Sequence, residues 1–418
     1  MRHARRLRPL AARLGLLLAV IGPGIITANV DNDAGGITTY SVAGAHFGYQ
    51  TLWIMPLVAV ALIIVQEMSA RLGVVTGKGL ADLIRESLGV RITTVVLGLL
   101  LVANLANTVS EFAGVAASME IFGIGKFVTV PVAAALVWLL IVRGNYATVE
   151  RVFLAASAIY LCYVVAGFLE RPDWSAIGGA VVRPQMRLDR EYLVILVTII
   201  GTTIAPWMQF YQQSSIADKG LKPADYAYER VDVVLGSLFA IFVAVFITIA
   251  CAATLHAVGT PIETAKDAAI ALRSLAGPFS SALFAVGLLN ASLFSAAILP
   301  LSTAYVVCEA FGWESGVSKR IREAPVFFGI YTAFIVMGAG IVLLPHRSLV
   351  QVMMASQTLN GVLLPVILVV MLLLVNDRRL MGDRFVNGKT LNAVTILVVA
   401  ALTALTVLLV ITSLRGAG

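Results

Sequence analysis

The sequence predicts an all-α integral membrane protein of eleven transmembrane helices. Ten of them form two inverted repeats of five, one lies beyond, and the first and sixth are broken. Three observations carry this reading. The 418 residues are 59% hydrophobic and only 13% charged, with a mean hydropathy of +0.93. No single soluble core holds such an apolar excess. Apolar windows long enough to cross a bilayer recur along the whole chain. Two of those windows, five apart, contain residues that interrupt a helix.

The spans fall at 14–45 (interrupted), 51–72, 92–119, 127–142, 149–168, 191–217 (interrupted), 232–255, 277–310, 324–343, 349–375 and 391–413. The first repeat then covers 14–168, the second 191–375, and 391–413 is the extra helix. The longest polar connection, Glu170 to Arg190, reads as a loop, so residues 1–418 form one membrane domain.

The first span reads Ile21 to Gly36, with Gly22-Pro23-Gly24 followed by Asn29, Asp31, Asn32 and Asp33. Carboxylates at membrane depth are costly and mark an ion or substrate path. Asp31 and Asp33 are two apart and would not share a face of a regular helix. The adjoining Gly35 and Gly36 favour an unwound segment in which both acids converge. The sixth span, Ile199 to Ser215, carries Gly201, Thr202, Thr203 and Pro206. Pro206 removes a backbone donor and clashes with the preceding turn. Unwound carbonyls and helix C-terminal ends favour cations, and two acids without a basic partner reinforce that preference. A metal cation is the expected counter-ion.

The remaining spans have ordinary readings. With the N-terminus cytoplasmic, roughly 21 of the 30 Lys and Arg fall on the inner side and about nine outside. The arm Arg2, Arg5, Arg6, Arg8 and Arg13 and the loop residues Lys319, Arg320, Arg322, Arg378, Arg379, Arg384 and Lys389 set that bias. Eleven spans place the C-terminus outside. The net charge of +7 is then a topology and lipid-contact signal, with no nucleic-acid partner implied. The basic arm followed by Leu14–Val20 has the outline of a signal peptide, but the apolar run continues into the acidic break, so it reads as a retained span. Cys162, Cys251 and Cys308 lie in apolar spans without ligand spacing and read as core residues. His3, His46, His256 and His346 fall near span ends.

With these residues in place, the chain resembles the Nramp divalent-metal transporters over nearly its whole length. Gly22-Pro23-Gly24 with Asp33-Ala34-Gly35-Gly36 is similar to that family's GPG…DPGN. The segment Arg71 to Glu86, with Gly77, Lys78, Asp82 and Arg85, is similar to its cytoplasmic segment after the second helix. Gly201 to Pro206 resembles GxxxMP, and Ser356-Gln357 with Asp377 to Gly382 resembles the SQ and DRxLMG elements. The resemblance implies the LeuT-type fold and transport by alternating access. It also implies metal contacts from Asp33, from the carbonyls of Thr202 and Ala205, and from Gln357. Asp31 joins them as an acid of this chain. No resident cofactor is implied, only a transported ion, and the protein is expected as a monomer in the cell inner membrane.

The departures shape the expected chemistry. Gly36 stands where the family has its ligand Asn, Ala34 where it has Pro, and Ala205 where it has Met. Trp207 and Gln212 replace two histidines, and Thr108 replaces an Asp one turn before Glu111. A thioether suits softer transition metals, while Mg2+ takes carboxylates and keeps several waters. The pattern is similar to the Nramp-related magnesium transporters. It implies a wider, oxygen-only site for hydrated Mg2+ that also passes Mn2+, without proton coupling; Ca2+ wants more direct oxygen ligands at longer distances. Glu111 is expected as a hydrogen-bonded core acid. Gln209 and Asn29 read as helix-packing or water-holding amides, Trp207 as a volume filler, Asn290 as an interhelical hydrogen-bonding residue, and Asp82 and Glu86 as solvated loop charges.

Other readings remain in view. One is a proton-coupled Mn2+ or Fe2+ transporter of the main family, and another is a Na+-coupled carrier of an organic solute. A sensor lacks an output domain, and an enzyme lacks a nucleophile–base pair or zinc spacing.

Overall fold

The computed structural model describes residues 30–143, 155, 157–345 and 348–415. Gly22-Pro23-Gly24, Asn29, the N-terminal arginines, His3, His346 and the first part of the fifth span lie outside the described residues.

Helices make up the described chain, and none of its residues is in a strand. Nine helices, counted across the sixth-span break, are long and apolar enough to cross a membrane among the described residues. They are α2 (Ile54–Thr76), α3 (Leu80–Glu120), α4 (Lys126–Arg143), α7 and α8 (Arg190–Thr203 and Pro206–Asp218, one span), α9 (Tyr226–Thr254), α10 (Ser280–Phe311), α11 (Pro325–Leu343), α12 (Leu349–Val375) and α14 (Lys389–Arg415). Helix α1 (Ala34–Phe47) is the second part of the first span, and α5 (Leu161–Leu169) ends the fifth. Short helices α6 (Trp174–Val182) and α13 (Arg378–Phe385) lie in connections.

Three expectations change. The Glu170–Arg190 connection holds α6, because the Asp173 carboxylate accepts from the N–H groups of Ser175 and Ala176 and starts a helix there. The third span begins earlier, at Leu80, and turns at Gly89, whose φ of 81° is open to glycine. Asp82 and Glu86 are therefore helical, not loop, residues, and Lys78 Nζ bonds Glu86 at 2.6 Å. At Asn290, Nδ2 has no partner, so the interhelical bond through that nitrogen is not made.

The core is placed by close approaches. A Cβ on Gly201 would collide with the backbone of Gly361 and Gln357, so α7 and α12 meet main chain to main chain. At Gly114 a Cβ would meet Ser292 and Ala34, which draws α3, α10 and α1 together. Asp189 starts α7 as its N-cap, and the Tyr192 N–H it accepts holds its carboxyl below the usual carboxylate range. The three cysteines are free, with Cys251 and Cys308 buried.

Candidate metal site

The two breaks have different local causes. In the first span, Val30 and Asp31 are helical, Asn32 and Asp33 leave the helix, and α1 begins at Ala34. Asp33 is extended (φ −72°, ψ −174°), and its Oδ1 accepts the Gly36 N–H at 2.6 Å as the N-cap of α1. In the sixth span, α7 ends at Thr203 and α8 starts at Pro206, with Ile204 and Ala205 non-helical between them. A carbonyl in a helix accepts from the residue four ahead. For Thr202 that residue is Pro206, which has no N–H.

The breaks meet at Gly36. A Cβ there would lie 2.6 Å from the Asp31 carbonyl oxygen, 3.3 Å from Thr202 Oγ1 and 3.4 Å from Asp33 Oδ1. Three oxygens from both broken spans therefore surround one point. All are buried, with Asp31, Asp33 and Thr202 no more than 4% exposed. Neither Asp31 carboxylate oxygen has a hydrogen-bond partner, nor has Thr202 Oγ1 or either amide atom of Asn32. Buried polar groups are normally satisfied, so these open groups at the two breaks fit an ion or its water.

The predicted residues are brought together unequally. Asp31 and Thr202 present open oxygens. Asp33 is present but already bonded as a cap. Ala205 is at the break, but its carbonyl accepts from Met208 N–H at 3.1 Å and, with the Gln209 amide turned to satisfy it, from that side chain at 2.9 Å. Its lone pairs are thus engaged. Gln209 is a capping amide for the carbonyls of Ala205 and Pro206. Gln357 packs directly on Gly35, yet its Oε1 accepts from Asn360 Nδ2 at 2.9 Å. Asn360 is fixed in turn by reciprocal bonds with Asn107 at 2.9 and 3.0 Å. Gln357 therefore turns a donor, Nε2, toward α1, which suits a water or a carboxylate better than a cation. The expected widening at Gly36 is also absent here, because the Asp31 main chain takes that space.

Apart from Glu111, the walls are neutral. Tyr40 bonds Thr203 at 2.8 Å, and the Thr203 hydroxyl donates to Ile199 O at 2.7 Å. Thr108 donates to Asn104 O at 2.7 Å, and its methyl lies against Gly338. Trp207 is buried and packs near Tyr211. One thioether comes near: Met353 Sδ accepts from Thr38 at 3.5 Å, one turn before Gln357. Glu111 is fully buried, and its Oε2 accepts the Ala34 N–H at 3.3 Å.

Sequence reasoning missed Asn32 and Gln66. Asn32 lies between the two acids, and only its place in the break marks it. Gln66 is buried with both amide atoms unpaired. It stands one turn before Ser69, which donates to Gln209 O at 2.7 Å, so the two share the face of α2 toward α8. A lone amide in an apolar span was its only signal.

Comparison with known proteins agrees with this architecture. Residues 24–412 match the family described as Nramp, natural resistance-associated macrophage protein-like. The divalent metal cation transporter MntH of Ralstonia nicotianae is 28% identical over 397 residues, covering 90% of this chain and 87% of that protein. MntH of Yersinia pestis is 27% identical over 400 residues, covering 93% and 94%. Among solved structures, the Eremococcus coleocola manganese transporter superposes with a TM-score of 0.72 at 22% identity, covering 93% of this chain and 85% of that one. Mhp1, a nucleobase-cation-symport-1 family transporter, superposes at 0.62 with 15% identity, covering 94% and 91%. The shared fold is the LeuT type, and the chain belongs to the Nramp family, whose members are transporters and not enzymes.

Proposed function

We propose that this protein carries divalent metal ions across the membrane by alternating access, taking Mg2+ and also Mn2+. The ion keeps part of its water, and no proton accompanies it. The single observation that carries this reading is the buried, unpaired carboxylate of Asp31, the residue whose carbonyl converges with the Thr202 hydroxyl at Gly36, an oxygen set with no sulfur or imidazole in it. Oxygen donors favour Mg2+ and Mn2+, and Mg2+ is held through one or two carboxylates with waters completing its shell. Gln357 Nε2, an open donor packed on Gly35, is available to hold such a water.

The uncoupled reading is supported by the neutral residues that stand before Glu111 on the same face of α3. Asn104, Asn107 and Thr108 bond to Thr303, Asn360 and backbone, and none of them titrates. An inside-negative potential suffices to drive entry. Two charges gain about 4.6 kcal/mol per 100 mV, on the order of a thousandfold accumulation. The N-terminus is assigned to the cytoplasm of a bacterial-type inner membrane, and the two five-helix repeats to 14–168 and 191–375.

A second reading is a proton-coupled Mn2+ carrier, as the relatives' names would allow. Glu111 beside Ala34 and Asp33 favours it, since an acid at the site could hold a proton. The test is reconstitution in liposomes, following Mg2+ and Mn2+ influx beside an internal pH dye. Mg2+ influx with constant internal pH is expected. Absent Mg2+ uptake overturns the selectivity, and acidification that tracks metal entry overturns uniport.

A further inference from the structure

A groove on the side of the bundle takes no part in the metal site. It lies where α2, α7 and α14 meet, and its volume is about 330 Å³. Trp53, Leu57 and Ala61 wall it from the second span, and Leu196, Ile200 and Ile204 from the sixth. Helix α14 closes the third side, where the exposed Ala401 and Ala404 share a face and leave room. Every side chain lining the groove is apolar, and the one N–H among them, the Trp53 indole, is spent on the Tyr192 hydroxyl at 2.9 Å.

The groove is one leaflet long. From Trp53 to Ala61 the second span rises about 12 Å, and from Val398 to Leu408 α14 rises about 15 Å, at 1.5 Å per residue. Half of a bilayer's hydrocarbon core is about 15 Å. The groove starts at Trp53 and reaches Ile204, a non-helical residue of the sixth-span break. Water finds no polar partners there. Left empty, the walls would forfeit their dispersion contacts. A helix of a second copy, about 10 Å across with its side chains, is too thick for the space. A single acyl chain fits in thickness and in length.

Basic side chains stand at the Trp53 end. Met186 lines the groove. The next residue, Arg187, lies 5.9 Å from the centre of the Tyr192 ring and bonds Asp189 at 2.8 Å. The Tyr192 hydroxyl donates to Gln50 O at 2.9 Å, so guanidinium, phenol and indole are held together. Arg183 and Arg190 are exposed nearby in the chain, and neither forms an ion pair among the described residues. Basic groups at a membrane surface attract anionic headgroups. We infer that the groove binds one acyl chain of an anionic phospholipid, with the headgroup at the Arg187 end. Leu196, Ile200 and Ile204 recur every four residues, whereas Thr202 and Thr203 turn to Gly36 and Tyr40 of α1. The lipid therefore braces the sixth span on the side away from the metal oxygens, whichever ion is carried.

The test is native mass spectrometry of the full-length protein, offered equal amounts of phosphatidylglycerol and phosphatidylcholine with the same chains. The wild type is expected to retain one phosphatidylglycerol at least fivefold more often than phosphatidylcholine. Ala401→Phe and Ala404→Phe fill the groove from an exposed face and spare the core, and each should lower that retention at least fivefold. The triple variant Arg183→Gln/Arg187→Gln/Arg190→Gln should keep a lipid but bring the two headgroups to parity. Phosphatidylglycerol should also raise the melting temperature of the wild type and not of Ala404→Phe, because a ligand of the folded state stabilises it. Unchanged retention in either phenylalanine variant overturns the groove, and equal retention of the two lipids by the wild type overturns the headgroup assignment. Should the phenylalanine variants fail to fold, Trp53 reports on the groove directly. Phosphatidylglycerol with a brominated chain should quench a share of the fluorescence that Trp53→Phe removes, and equal quenching in the two proteins overturns the proposal.

Discussion

The Ala34 N–H donates to Glu111 Oε2 at 3.3 Å, joining the start of α1 to the middle of α3. The family resemblance places a proline at that position, and proline has no N–H to give. The substitution therefore creates the donor that engages Glu111. Ala34→Pro should free the carboxyl and let a proton follow the metal, seen as acidification during Mn2+ influx into liposomes. Glu111→Gln keeps an acceptor for Ala34 and should retain at least half of the wild-type rate. A Glu111→Gln variant without transport would show that the charge itself is required.

Asp31 and Asp33 divide their tasks. Asp33 caps α1 through Gly36, and losing such a cap costs about 1 kcal/mol. Asp31 carries two open oxygens and no such duty. Asp33→Asn should keep the fold and lower Mg2+ uptake at least tenfold, while Asp33→Ala should also lower the melting temperature. Asp31→Asn should lower uptake at least tenfold with the melting temperature held or raised. Uptake and thermal unfolding measured on the same three variants separate the roles.

Gly36 stands where three oxygens converge, 2.6 Å from the Asp31 carbonyl by its missing Cβ. Restoring the family's asparagine should not restore a ligand. Both Gly36→Ala and Gly36→Asn should reduce influx at least tenfold, because main chain must shift to admit either side chain. An active asparagine variant with enhanced Mn2+ preference would count against this packing.

Ala205→Met adds a thioether at the sixth-span break. Soft donors favour Cd2+ over Mg2+. Competition of Cd2+ against Mn2+ influx should strengthen at least fivefold, and an unchanged Cd2+ inhibition constant would remove the sulfur argument.

Much of the architecture was legible because membrane insertion imposes simple rules. Apolar windows gave the spans, and Pro206 marked a break that the backbone could not avoid. The convergence of Asp31, Asp33 and Thr202 was readable from two matched interruptions. Gln357 was readable as a neighbour but not in its orientation, because the Asn360–Asn107 pair that turns it comes from residues far apart in sequence. Ala205 was readable as part of the break but not in its partners, the Met208 N–H and, with its amide turned, Gln209 a turn later. The room expected at Gly36 depended on where the Asp31 main chain goes, which no local pattern records.

Arg71 belongs to α2, yet two of its three side-chain hydrogen bonds go to Phe385, at the end of α13, and to Asn387 just before α14. That stitching makes the second span and the segment leading into the last one a single mechanical piece. In a carrier that works by rocking one body against another, those parts share a side of the hinge. A covalent tether between them would be silent, whereas the same tether laid across the two breaks would stop the machine.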